Sequence, residues 1–157
     1  MSKKDEALNI LTEAQMGVFA KLPVATQDEI DSAEKEIKRK IPKSLRDFYM
    51  FYANGVEFGR FKIIPVFSKS NPKKSAESLS RINSVNYSIW FNEDSKTIKQ
   101  FVVFCIEENS ICYCFKNGEG DSVWQWEQGW SQVKELDYDF WGWLYESLKQ
   151  EKSYLFK

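Results

Sequence analysis

The chain has 157 residues, a formal net charge of -1, 43% hydrophobic and 29% charged residues, and 16% aromatics. These values fit one globular domain over residues 1–157, large enough to bury a core without staples, and exclude extended disorder. The near-neutral charge gives no basis for direct nucleic-acid binding. There is no His, which removes the commonest general base and metal ligand, so an enzyme here would work through carboxylates, Lys or Tyr.

Three cysteines, Cys105, Cys112 and Cys114, and a charged Met1-Ser2-Lys3-Lys4 start without an apolar leader point to reduced thiols and a cytoplasmic location. No stretch approaches the 18 apolar residues of a membrane span.

Residues 5–15 read as a short helix, with Leu8, Leu11 and Ala14 spaced by three; Val18 and Phe19 continue it or begin a loop, and Pro23 breaks the pattern. Thr26 to Lys40 reads as a second helix. Thr26 and Glu29 form a capping box, and Ile30, Ala33 and Ile37 form the apolar stripe. Lys38-Arg39-Lys40 would then lie in the last turn, complementing the helix dipole, before Ile41-Pro42 stops it. A third helix runs from Pro42 or Lys43 to about Ala53, with Leu45, Phe48, Tyr49 and Tyr52 on one face and Asn54-Gly55 as its C-cap.

Phe58 to Val66 reads as one strand and 67–75 as a polar loop. Ala76 to Phe91 reads as a helix on the spacing of Leu79, Ile82, Val85 and Ile89. Phe101–Ile106 is the strongest strand signal, a continuous apolar run suited to a strand covered on both faces. A four-residue turn at 107–110, a strand at 111–115, a turn at 117–121 and a strand at 122–126 complete a meander. A last helix at 137–150 carries Phe140, Trp141, Leu144 and Leu148, with Trp141 expected in the core. The fold class is therefore α+β.

Few constellations suggest chemistry. The four-residue turn would set Cys105 opposite Cys112, so a disulfide or part of a metal site is conceivable. Metal sites usually need four ligands, however, so buried thiols acting as small apolar groups fit better. Gly118-Glu119-Gly120 joins two strands and lacks the Lys-Ser or Lys-Thr of a phosphate loop, so it reads as a turn. Glu107-Glu108 would sit in an exposed turn, and Asp137 with Asp139 at a helix start as caps.

Charge segregation is more informative. Residues 34–74 hold eleven basic against four acidic side chains, while 117–146 hold seven acidic residues against Lys134 alone. Two ordinary solvated surfaces would account for this. The alternative is an acidic face that attracts a basic partner, since the same acidic stretch carries Trp124, Trp126, Trp130, Trp141 and Trp143. Trp rimmed by carboxylates is the composition of a protein-binding hot spot, whereas nucleic acid would require basic residues around the aromatics. The candidate partner-binding residues are Glu119, Asp121, Trp124, Trp126, Glu127 and Trp130; no catalytic, metal or cofactor residue is expected.

A family resemblance adds to this reading. The capped helix with Glu34 and Ile37 before Ile41-Pro42, the segment Leu45 to Gly55 ending in Asn-Gly, and Phe61-Lys62-Ile63-Ile64-Pro65 occur in an order and spacing similar to the SUKH superfamily. So do the meander strands and the closing Asp139-Phe140 with Trp143-Leu144. That superfamily includes fungal Smi/Knr cell-wall regulators and bacterial immunity proteins, and the resemblance covers about residues 25–150. Val56 departs from it, standing where members commonly carry a second Gly.

The resemblance implies helices packed beside an antiparallel sheet. It also implies an immunity protein that binds a cognate toxin, often a nuclease, by direct contact, acting as a monomer or weak dimer and without a cofactor. The alternative is a scaffold or signalling adaptor of the fungal type. A third possibility is an enzyme acting on a small molecule through carboxylates.

Overall fold

In the computed structural model, which describes residues 1–13, 19–108 and 110–152, the strongest strand-forming stretch becomes the spine of a seven-stranded antiparallel sheet. The strands are β1 (Phe19–Lys21), β2 (Val56–Phe58), β3 (Phe61–Ile63), β4 (Phe101–Glu107), β5 (Ile111–Lys116), β6 (Val123–Glu127) and β7 (Lys134–Glu135). They lie side by side in sequence order. Six helices accompany them: α1 (Lys3–Glu13), α2 (Gln27–Ile37), α3 (Lys43–Phe51), α4 (Leu79–Ile82), α5 (Ser95–Gln100) and α6 (Phe140–Gln150). This is the expected α+β fold with helices packed on an antiparallel sheet. The expected helical residues 14 and 15, and Val18, lie outside the described residues.

Both faces of the central strands are covered, as the unbroken apolar run of β4 requires. On one face Phe104 stacks on Phe115 at 4.2 Å, and α6 lays Phe140 and Trp143 edge-on to Phe104 at 5.7 and 5.0 Å. α3 joins through Phe48, 5.8 Å from Phe140. Trp143 is thus the core Trp of α6; Trp141, expected in the core, is only half-buried, with Lys4 Nζ over its ring. On the other face Phe101 and Trp126 meet Phe91.

Several local expectations change. The single strand at 58–66 is a hairpin, because Gly59 (φ 56°) and Arg60 make a two-residue turn between β2 and β3. A side chain at Gly59 would collide with the Glu151 carboxylate, which packs there without exposure and accepts from Arg60 Nε at 2.7 Å. Arg60 also lies 3.6 Å from Glu107, which accepts the Tyr113 hydroxyl at 2.7 Å. Glu107 is therefore buried and paired, not exposed in a turn.

The β4–β5 connection closes one residue earlier than expected, with Glu107 opposite Ile111 and Glu108 at φ 53°. Cys105 consequently faces Tyr113 and Ile106 faces Cys112, which sends Cys105 and Cys112 to opposite faces. All three cysteines are free and buried, and burial pushes the thiols of Cys105 and Cys114 up.

The helix expected at 76–91 forms only one turn, α4. Ser78 caps it, and Asn83 then leaves the helix to serve β4. The Asn83 amide donates to the carbonyls of Leu79 (2.8 Å) and Val103 (2.9 Å) and accepts from the Val103 amide at 2.7 Å. Satisfying the buried Val103 backbone groups of β4 with a side chain outcompetes continuation of the helix.

α2 likewise ends at Ile37, with Lys38 in the left-handed region (φ 56°). Arg39 therefore turns inward instead of lying on the dipole-facing surface. The residue is 6% exposed, and its guanidinium donates to the carbonyls of Ile37 (2.9 Å), Ile98 (2.6 Å), Phe101 (2.9 Å) and Asn83 (2.6 Å). Burial lowers its pKa, yet four acceptors at the C-terminal ends of α2, α4 and α5 hold the cation in place. Arg39→Met should cost about 3 kcal/mol or more, since it orphans several buried carbonyls at once; a urea titration with an unchanged m-value is the check.

The expected capping box of Thr26 and Glu29 is present, and Asn54 bonds both the amide and carbonyl of Val66 at 2.9 Å. Gly55 (φ 87°) sits against the Ile63 carbonyl with no room for a Cβ. Burial also raises the tyrosines: Tyr52 from the ordinary 10.0 to about 12, and Tyr49 and Tyr113 further. The unfolded chain ionises these phenols first, so stability is fully present below pH 10 and falls as pH rises from 10 towards 12. Absorbance of phenolate at alkaline pH, followed together with circular dichroism, should show ionisation lagging until the fold is lost.

Candidate protein-contact site

The six expected contact residues do not form one patch. Glu119 and Asp121 belong to the turn before β6, whereas Glu127 is its last residue and Trp130 lies beyond it, about 14 Å away for five residues of strand. Glu119 pairs with Lys116 at 3.4 Å, and Asp121 accepts the Ser44 hydroxyl at 2.9 Å. Asp121 thus ties the turn to the start of α3.

Trp124 is half-buried against Phe101 (5.4 Å), with Lys116 over its ring at 5.4 Å. Trp126 is 4% exposed. Its position opposite Cys112, on the face covered by Trp90 and Phe91, makes it core and removes it as a surface anchor.

Trp126 nonetheless builds the surface above it. Its indole N–H donates to the Trp130 carbonyl at 3.0 Å, and the Asn92 side chain donates to the same carbonyl at 3.2 Å. Trp130 is half-buried, with Lys134 over its ring at 4.4 Å.

The segment that meets it, Phe91-Asn92-Glu93, has φ of 58, 57 and 60°. Three consecutive non-glycine residues with positive φ cost roughly 1–2 kcal/mol each in an isolated chain. Phe91 holds the turn down between Phe101 (5.6 Å) and Trp126 (5.8 Å), and Asp94 caps α5 through Lys96 N and the Thr97 hydroxyl.

The result is a shallow cleft of about 460 Å³ floored by Phe91, Phe101 and Trp126, with Asp94, Gln132 and Val133 on its walls. Glu93 is exposed beside it and Glu127 is half-buried; neither enters an ion pair among the described residues, nor do Glu135 and Asp137. Asp139, expected as a cap, accepts from the Gly142 amide at 2.8 Å.

Sequence reasoning missed the strained turn and its Glu93. Positive φ leaves no signal at Phe or Glu, and the only cue was Asn92, which tolerates that region. It also missed a row of exposed apolar side chains, Val85, Tyr87 and Ile89, at 39, 66 and 63% exposure. The second half of the apolar spacing that suggested a long helix, Val85 and Ile89, is left outside by the fold, whereas Leu79 is buried.

Among the described residues, no group of three or more His, Cys, Asp or Glu side chains could hold a metal, and no helix is long and apolar enough to cross a membrane.

Residues 24–148, a span that holds the meander, the Asn54-Gly55 latch and most of α6, match the SMI1 / KNR4 family (SUKH-1). The chain belongs to that family. No curated protein matches it. The departure at Val56 is accommodated because Val56 is a buried β2 residue paired with Ile63, so no second Gly is required after Gly55.

Trp126→Ala should cost about 3–5 kcal/mol, as for large aromatics removed from a core. Tyr87→Ala should stay within about 0.5 kcal/mol of the parent, since that ring is on the surface. Paired urea titrations separate the two.

Proposed function

We propose that this SUKH-1 chain is an immunity protein that neutralises a cognate bacterial toxin by direct protein–protein contact, centred on Trp130 and the Phe91–Glu93 turn. The observation that carries the reading is the strained turn held against Trp126 and Trp130, beside Glu93 and Glu127, which enter no ion pair among the described residues. Backbone strain of this kind concentrates at ligand clamps, where the surrounding structure over-determines a costly conformation. A half-buried Trp in a rigid setting supplies a contact anchor with little ordering cost. Glu93 and Glu127 would steer a basic toxin surface toward it, so charge acts mainly on the association rate.

This reading keeps Trp130 and Glu127 from the sequence-based set and replaces Glu119 and Asp121, which are occupied within the fold. A scaffold or adaptor role in the manner of fungal relatives predicts several weak partners in place of one tight partner.

The test is co-expression with toxin domains encoded beside this chain, followed by affinity measurement on the pair that permits growth. Glu93→Gly should raise stability by about 1 kcal/mol by relieving positive φ, yet weaken toxin binding. A Glu93→Lys, Glu127→Lys double variant should slow association about tenfold or more at low salt, with the loss shrinking as salt rises. Unchanged affinity in both variants would exclude this surface. A partner found only among several of similar weak affinity would favour the adaptor.

A further inference from the structure

A second surface, sharing no residue with the Trp130 cleft, has the opposite character. It is a groove of about 740 Å³ between the C-terminal end of α2, α4 and the Ser84–Tyr87 lip. Its cations are Lys38, Arg39, Arg81 and Lys99, against Glu36 as the one carboxylate in its lining. Lys38 and Lys99 are exposed and enter no ion pair among the described residues.

Lys38 is aimed by its left-handed cap, and Arg81 lies 3.5 Å from Glu77 and 5.3 Å over the Tyr87 ring. Beneath them Arg39 carries a buried charge that meets only carbonyl dipoles, never a carboxylate, among the described residues. A concave, low-dielectric wall of net positive charge focuses potential on whatever enters.

The apolar component is on the same rim. Phe67, Val85 and Tyr87 are 47, 39 and 66% exposed, and contiguous exposed apolar groups with a polar surround mark binding surfaces. The lip that presents Val85 and Tyr87 is anchored at one end by Asn83, whose side chain is locked to β4, and at the other by buried Trp90. It is therefore preorganised, which lowers the ordering cost of binding.

We infer that this groove docks an acidic segment of a partner protein, with an aromatic or aliphatic side chain of that segment seated between Phe67, Val85 and Tyr87 and its carboxylates facing Lys38 and Lys99. The charge balance selects an anionic occupant, and the apolar rim selects one with side chains to bury. Single-stranded nucleic acid fits less well: of the two exposed rings on the rim, Phe67 and Tyr87, the second already carries Arg81 over its face, which leaves one ring for base stacking. This inference does not rest on the toxin-binding reading, because it concerns a different surface.

The test titrates the full ¹⁵N-labelled chain with a synthetic peptide of alternating Glu and Asp interrupted by Phe and Leu. Parallel arms use the same peptide with Lys for every acidic residue, a single-stranded oligo-dT and vesicles of phosphatidylserine with phosphatidylcholine. The expected result is saturable amide shifts confined to Lys38, Phe67, Ser84–Tyr87 and Lys99 with the acidic peptide alone. Lys38→Glu with Lys99→Glu should weaken it about tenfold, and Tyr87→Ala by several-fold at unchanged salt dependence. Both substitutions are on the surface, and an unaltered spectrum elsewhere verifies the fold. Absence of saturable shifts with the acidic peptide, shifts elsewhere on the chain, or equal response to the oligonucleotide or the vesicles would overturn the inference.

Discussion

One buried cation organises the face of the sheet that carries both proposed surfaces. Arg39 leaves α2 and reaches the carbonyl ends of α2, α4 and α5 and the first residue of β4. Each of those helix ends would otherwise present orphaned carbonyls under the cover of the sheet. A guanidinium has five N–H donors in a fixed fork, so a single side chain satisfies acceptors from four places; an ammonium on a flexible stem offers three. The short helices α4 and α5, of four and six residues, are too brief to persist alone. Their placement depends on this junction and on the apolar residues they bury.

Asn83 is the second fixed point, and its bonds to Val103 explain why the cover of the sheet is a chain of turns and not a long helix. Between Asn83 and Trp90 the chain bulges outward and exposes Val85, Tyr87 and Ile89; after Trp90 it dives over Trp126 through three residues of positive φ. The covering segment therefore yields two different surfaces. At one end are Lys38, Arg81 and Lys99 around an apolar lip, and at the other Glu93 and Glu127 around Trp130. Arg39 joins the end of α2 to Asn83 and Ile98, which gathers Lys38, Arg81 and Lys99 around one groove, while Asn92 and the Trp126 indole meet at the Trp130 carbonyl, with Glu93 and Glu127 nearby.

The opposite face is conventional by comparison. Phe104, Phe115, Phe140 and Trp143 interlock as stacked and edge-to-face rings, geometries that match the quadrupoles of the rings. The thiols fill small gaps on both faces, and burial holds Cys105 and Cys114 in the neutral form, which makes them poor nucleophiles. Arg60, Glu107, Glu151 and Tyr113 close the end of α6 onto the β2–β3 turn. These four side chains thus hold distant elements together.

The sequence alone determined whatever follows from local periodicity and capping. The boundaries of α2 and α3 to within a few residues, the three-strand meander, the Asn54-Gly55 stop and the presence of α6 are all written in residues whose roles depend on near neighbours. The tertiary structure alone decided the rest. Arg39 looked like a surface complement to a helix dipole because its four acceptors lie up to 62 positions away. Trp126 looked like a contact anchor because the residues that bury it, Trp90 and Phe91, arrive from a segment whose spacing suggested a helix. Cys105 changed faces through a turn shorter by one residue, since strand side chains alternate and a single step inverts them. Local signals fix what a segment can form, but burial and the satisfaction of distant polar groups select which side chains remain outside to meet a partner.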